Sequence, residues 1–237
     1  MEKVVEIIQG IRIVKECLYL EKEKILIISD LHIGQEEALN KQGLLVPRFQ
    51  LEDIIKEINE IKSKVEFEKV IINGDLKHEF GLISKQEWND TLKFLDLFEN
   101  KKIILIKGNH DIILKPLANK KNLAVVDNFK IGDILIIHGD KIINEKEIKD
   151  IKIIIIGHEH PAISFPERRT EKYKCFLKGK YKGKTLVVMP SFNFLNEGSD
   201  ITKESLLSPL IENIDTFEVY VITDEILNFG KLKDLKE

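Results

Sequence analysis

Residues 24–32 read KILIISDLH and residues 69–75 read KVIINGD. In each, a short run of Ile, Leu and Val ends abruptly at a carboxylate. Three further stretches end a similar run in oxygen or imidazole groups: KIILIKGNHD at 102–111, ILIIHG at 134–139 and KIIIIGHEH at 152–160. Uninterrupted apolar runs this short are expected of strands buried on both faces, as in a parallel sheet. The predicted strands are Lys24–Ser29, Lys69–Asn73, Lys102–Lys107, Ile134–Ile137 and Lys152–Ile156.

Between the first three runs lie segments with helical apolar spacing. Phe49–Val65 places Leu51, Ile54, Ile55, Ile58 and Ile61 on one stripe, and Pro47 marks its start. Ser84–Phe98 places Trp88, Leu92, Leu95 and Phe98 on another, with Ser84 as N-cap and Glu87 completing a capping box. Strand–helix–strand alternation predicts βαβ units.

The last third changes character. Tyr173–Leu177 and Thr185–Met189 read as strands joined by the glycine-punctuated segment 178–184. Phe217–Ile222 reads as a further strand that Ile226–Gly230 can pair with, and Ile11–Leu20 as a hairpin partner of the first core strand. Pro190–Asn213 reads as a long irregular excursion. The expectation is two β layers with helices outside them, in one domain over residues 1–237, since no repeat or linker divides the chain.

The chain has 37 Lys and Arg against 40 Asp and Glu, a net charge of −3, which argues against a polycation that coats nucleic acid but leaves room for a local basic patch. Cys17 and Cys175 lack partner spacing, so neither a disulfide framework nor a cysteine zinc site is expected, and the expected compartment is reducing. The N-terminus interrupts its apolar residues with charge, unlike a signal peptide. The longest apolar run is too short to cross a bilayer. A cytoplasmic protein without membrane contact is expected. The chain holds 38 Ile and 4 Ala, with abundant Lys and Glu, a bias shared by hyperthermophiles and AT-rich genomes.

Every predicted core strand ends in oxygen or imidazole groups: Asp30 and His32, Asp75, Asn109 with His110 and Asp111, His138, and His158 with His160. In an open parallel sheet, ligands bind outside the carboxyl ends of the strands. Five of the six histidines lie in these motifs, and the sixth, His78, follows Asp75 by three residues. Asp, Asn and His without Cys suit Mn²⁺, Fe²⁺, Ni²⁺ or Zn²⁺ better than Ca²⁺. The ligands outnumber the needs of one catalytic zinc. Two ions sharing a carboxylate fit the count, and such a pair can clamp both oxygens of a phosphoryl transfer.

The ordered series D-x-H, G-D, G-N-H-D, H and G-H-x-H, from Asp30 to His160, resembles the calcineurin-like metallophosphoesterase superfamily. The resemblance implies an α/β fold, a four-layer sandwich of two mixed β-sheets flanked by helices. It implies one metal at Asp30, His32 and His160, a second at Asn109, His138 and His158, and Asp75 bridging them. It gives His110, which is not a ligand, the role of protonating the leaving group or stabilising its charge, with Asp111 orienting that imidazole and raising its pKa. The runs GDLKH at 74–78 and MPSFN at 189–193 are similar to a narrower group, the SbcD-related phosphoesterases of archaea. Those are akin to bacterial enzymes encoded beside DNA-repair ligases and helicases, which implies a manganese-dependent DNA phosphodiesterase.

Weaker signals surround these motifs. His78 can reach a substrate phosphate or simply hydrogen-bond behind Asp75. Arg48, at a helix start, can grip phosphate or remain a solvated arginine. Lys178, Lys180, Lys182 and Lys184, interleaved with aromatic residues, suit a single-stranded nucleic-acid track, or else protect a sheet edge. The leading expectation is a Mn²⁺-dependent nuclease acting on single-stranded DNA. The alternatives are a phosphomonoesterase or small-nucleotide phosphodiesterase, and a non-catalytic partner-binding scaffold. The sequence leaves the oligomeric state open, a homodimer included.

Overall fold

The computed structural model describes residues 4–81, 83–111, 114–121, 123–165 and 168–235. Its first sheet has seven strands in chain order: β1 (Val4–Ile8), β2 (Ile11–Val14), β3 (Cys17–Leu20), β4 (Ile25–Ser29), β5 (Lys69–Asn73), β6 (Lys102–Ile106) and β7 (Ala124–Val126). The first four pair antiparallel, and β4 to β7 run parallel. The second sheet contains β8 (Asn128–Ile131), β9 (Ile134–Ile137), β10 (Ile153–Ile156), β11 (Pro161–Phe165), β12 (Arg168–Tyr181), β13 (Lys184–Val188), β14 (Ser199–Asp200), β15 (Glu218–Ile222) and β16 (Ile226–Lys231). There β9, β10 and β13 are parallel, while β12 is antiparallel to β13 and β15.

The apolar runs are continuous because both faces of each central strand are covered. In β4, Ile25 and Ile27 face the layer between the sheets, while Leu26 and Ile28 face the helices. In β10, Ile155 faces the same inter-sheet layer, and Ile154 and Ile156 face the opposite side. Alternation sends successive side chains to opposite faces, so a strand between two apolar layers has no polar positions.

Among the described residues the α-helices are α1 (Gln35–Lys41), α2 (Gln50–Lys64), α3 (Lys85–Asp96) and α4 (Lys115–Lys121), all between β4 and β7. The stripe Ile54, Ile58 and Ile61 of α2 is fully buried against the first sheet. The Ser84–Glu87 capping box forms as expected. Over the second sheet the cover among the described residues consists of 3-10 turns and irregular chain, including Ile148, Ile201, Leu210, Ile211 and Leu232.

The longest departure from the sequence expectation is β12. It runs 14 residues, where a strand over Tyr173–Leu177 was expected. The true turn is only Lys182-Gly183, both with positive φ (45° and 78°), as a tight hairpin of type I′ demands. The lysines that resembled loop composition lie within the strand or at its turn. Segment Pro190–Asn213 is irregular as expected, apart from two-residue β14.

Candidate metal centre

Strands β4, β5 and β6 of one sheet and β9 and β10 of the other end on the same side of the molecule. Their carboxyl ends deliver Asp30, His32, Asp75, Asn109, His138, His158 and His160 to one place. Asp30, His32 and His160 have ligand atoms within 4.8 Å of one another, as do Asp75, His138 and His158. The Asn109 Oδ1 lies 3.0 Å from His138 Nε2 and joins the second group. Each group draws on both sheets.

Hydrogen bonds hold the carboxylates so that one oxygen of each is occupied and the other faces imidazoles. Asp30 Oδ2 accepts from Ser29 Oγ at 2.7 Å and from the His158 N–H at 3.0 Å. Its Oδ1 is buried without a hydrogen-bond partner, 3.4 Å from His160 Nε2 and 3.6 Å from His138 Nδ1. Asp75 Oδ1 accepts from the His110 N–H at 2.9 Å. Its Oδ2 lies 3.6 Å from His32 Nε2 and 3.5 Å from His138 Nε2, one imidazole from each group.

This arrangement is costly for a metal-free protein. Burial, then the neighbouring Asp30 charge, raises the pKa of Asp75 to about 8. Burial also opposes ionisation of Asp30, but His160, His138 and His32 outweigh it and hold that carboxyl below its usual range. Burial depresses His158 to about 4, with His138 adding to the effect. Burial and His160 likewise depress His32. Imidazole nitrogens converging on carboxylate oxygens are the donor set of a divalent cation, and the unpartnered Asp30 oxygen fits such an ion.

The backbone bends sharply to reach this geometry. Eight non-glycine residues among those described have positive φ, and five of them are Asp30, His32, Asp75, His158 and His160. Such conformations are unfavourable for ordinary side chains and gather at functional sites. Glycine is required by close approach at two points. A Cβ on Gly74 would sit 2.0 Å from His138 Nδ1, and one on Gly108 would sit 2.1 Å from Asp75 Oδ1.

His110 lies beside the cluster, with Nε2 3.9 Å from Asp75 Oδ2. Its Nδ1 is 2.6 Å from the His78 carbonyl, which can only accept, so Nδ1 carries the proton. The sequence expectation placed Asp111 behind this imidazole; instead, Asp111 accepts from the backbone N–H groups of Gly108, Leu76 and Lys77. A residue directly after His110 caps the turn that carries it more readily than it reaches the ring. Burial lowers the His110 pKa despite the opposing effects of the His78 carbonyl and Asp111. His78 stands 5.6 Å from His32 and 5.7 Å from His110 between ring centroids, and its own Nδ1 is buried without a partner.

The other expected substrate contacts are not brought to the cluster. Arg48 is exposed and pairs with Glu37. β13 starts at Lys184 and runs parallel to β10, so the Lys182–Lys184 turn lies at the opposite end of the sheet from His158. Lys178 pairs with Glu218 at 2.8 Å, Lys182 pairs with Glu145 at 2.8 Å, and Lys180 donates to Thr185 Oγ1. Alternation along the hairpin marked a basic face but could not say which end of the sheet it occupied.

Three residues that hold the site gave no decisive sequence signal. Gln50 is buried and donates to the His32 carbonyl at 2.9 Å while accepting from the Gly34 N–H, which fixes the turn after Asp30. Lys77 is fully buried and donates to the His110 carbonyl at 2.7 Å and to the Glu79 carbonyl. Lys174, whose pKa burial lowers to about 8, donates to the carbonyls of Ser191 and Asn193. That loop is tied in turn to Ser29 through the Phe192 N–H. Lys77 and Lys174 lie within the GDLKH motif and the basic run, but nothing in the sequence separates a buried lysine from an exposed one.

Residues 23–188 match the family described as Calcineurin-like phosphoesterase. No curated protein matches the chain. Among solved structures, nuclease MPE from Pseudomonas putida is similar with a TM-score of 0.70 at 17% identity, covering 95% of this chain and 98% of that one. A protein of unknown function from Aquifex aeolicus aligns with a TM-score of 0.39 at 20% identity, over 57% of this chain and 78% of that one.

Proposed function

We propose that this chain, which belongs to the calcineurin-like phosphoesterase family, is a two-metal phosphodiesterase that cuts single-stranded DNA with Mn²⁺ as its working ion. Family membership makes it a metal-dependent phosphoesterase; the substrate, the ion and the residue roles are our reading. Asp30, His32 and His160 would hold one ion, Asn109, His138 and His158 the other, and Asp75 would bridge. The observation that carries this is the single Asp75 oxygen lying about equally far from His32 and His138, at 3.6 and 3.5 Å.

When bound, such a pair supplies positive charge to the phosphate and lowers the pKa of water toward neutrality. The chain's own residues do the rest. Ser29 and the His158 amide keep Asp30 turned so that Oδ1 faces His160 and His138, where it would be free to ligate an ion. The His110 amide does the same for Asp75. The His78 carbonyl takes the Nδ1–H of His110, so Nε2 carries a proton only in the imidazolium form, which that carbonyl and Asp111 favour against burial. As imidazolium, His110 would deliver the Nε2 proton to the leaving oxygen and be left neutral with its proton on Nδ1. A nucleoside alkoxide leaves poorly without that proton. Support for DNA comes from the shape shared with the P. putida nuclease along nearly the whole chain. Support for Mn²⁺ comes from the mixed Asp, Asn and His ligands.

The test measures metal content and turnover together. Purified protein loaded separately with Mn²⁺, Ni²⁺, Zn²⁺ and Mg²⁺ is assayed on single-stranded DNA, bis-p-nitrophenyl phosphate and p-nitrophenyl phosphate. Two ions per chain, with best turnover of DNA and the diester in Mn²⁺, is expected. Turnover confined to the monoester would replace the nuclease reading with the phosphomonoesterase one. An Asp75→Ala variant is expected to lose metal and activity together, and near-normal metal content there would remove Asp75 from the bridge.

A further inference from the structure

An exposed phenylalanine leans on the side chain proposed to protonate the leaving group. The Phe80 ring stacks on the His110 imidazole with centroids 3.8 Å apart and planes 29° from parallel. Phe80 is nevertheless 50% exposed. One face of the ring is taken by the imidazole, and much of the remainder meets solvent at the edge of the metal centre.

The chain around this ring is fixed by buried charge. Glu87, fully buried, accepts from the His78 and Glu79 N–H groups at 3.0 Å each, as well as closing the helix cap. Lys77, also fully buried, bonds the carbonyls of Glu79 and His110. The residues immediately before Phe80 and the backbone of its stacking partner are therefore pinned from below. Two buried ionic groups hold in place a side chain that contributes little to the core. An exposed aromatic ring on a rigid base is the form of a stacking platform, and nucleobases stack on such rings whatever their sequence.

We propose that Phe80 is the seat for the base of the nucleoside that leaves, giving a stack of base, Phe80 and His110 beside the scissile phosphate. This rests on the nuclease reading above and adds to it a reason for single-strand preference. A base in a duplex has both faces occupied by its neighbours and must unstack before it can lie on Phe80. A single strand offers its bases at little cost.

The test uses a short single-stranded oligonucleotide with one cleavable phosphodiester among methylphosphonate linkages. An abasic sugar is placed on one side of the cleavable linkage, then on the other. For wild-type protein with Mn²⁺, removing the base on the leaving side is expected to lower kcat/KM about tenfold, within the range typical of one base–aromatic stack. Removing the other base should matter much less. Phe80→Leu and Phe80→Ala should show the same loss on the intact oligonucleotide and no further loss when the leaving-side base is absent. Phe80→Trp should restore dependence on the base. Equal losses by Phe80→Leu on intact and abasic substrates would overturn the seat and leave Phe80 as a brace for His110. Wild-type rates indifferent to either base would overturn it as well. If wild-type protein hydrolyses bis-p-nitrophenyl phosphate but cuts none of the oligonucleotides, the nuclease reading itself fails and the seat with it.

Discussion

Replacing Gly108 with alanine adds one methyl group directly against the Asp75 carboxylate. The new Cβ would lie 2.1 Å from Asp75 Oδ1 and 2.4 Å from the Asp75 backbone nitrogen. Ordinary van der Waals contact is about 3.5 Å, so one partner must retreat by roughly 1.4 Å. The carboxylate cannot move alone, because the Asp75 backbone is in the way too. Gly108 does not have positive φ, so the cost is steric and not conformational. Overpacking of this kind costs about 1–3 kcal/mol of stability. A misplacement near 1 Å of a group that positions reactants costs about a hundredfold in rate. We therefore expect Gly108→Ala to fold, to bind metal with reduced affinity or stoichiometry, and to hydrolyse a small diester about a hundredfold more slowly at saturating Mn²⁺. Metal titration by calorimetry and steady-state kinetics on bis-p-nitrophenyl phosphate read both effects. Gly81→Ala is the control, since a Cβ there meets nothing within 4 Å. Wild-type metal binding and turnover in Gly108→Ala would refute the claim that the carboxylate's position is set by this contact.

His110→Asn should keep both ions while losing about 10²–10⁴-fold in DNA cleavage, with a smaller loss on p-nitrophenyl esters, whose leaving group needs little protonation; calorimetry and parallel kinetics check this. Neutralising Lys180, Lys182 and Lys184 together should leave the rate and salt dependence of single-strand cleavage near wild type, because the turn carrying them lies at the far end of the sheet; a salt slope shallower by about 0.7 per lysine would contradict that placement. Ser84→Ala should lower stability by about 1 kcal/mol in urea denaturation through loss of the helix cap, with the Asp75 ligand group unaffected in metal titration.

The two-sheet fold was legible because its central strands are apolar throughout. Runs such as Ile134–Ile137 and Lys69–Asn73 coincide with β9 and β5 to the residue. A strand with apolar layers on both faces leaves an unambiguous trace. The site was legible for a related reason: its groups follow those strands directly, so finding a strand end finds a ligand candidate. What the sequence did not reveal depends on side-chain direction and on distant chain. Asp111 adjoins His110 in sequence yet turns to the backbone of Gly108, Leu76 and Lys77. Phe80, Gln50 and Lys174 acquire their positions from contacts with residues far along the chain or from local loop shape, and neither has a periodic signature. β12 was underestimated because its charges resemble a loop, although a strand tolerates charge on any side chain that faces solvent.

The left-handed backbone at Asp30, His32, Asp75, His158 and His160 bears on how this protein would respond to selection in the laboratory. Glycine adopts that conformation without strain, and asparagine more readily than most residues. At these five places the chain would thus gain conformational ease by giving up the side chain. A library screened only for resistance to heat or denaturant in the presence of chelator should enrich glycine and asparagine there. The same library screened with Mn²⁺ should not, if the ion repays the strain. Comparing the two enrichment profiles position by position would map which residues are kept for the ion and which for the fold, without an activity assay.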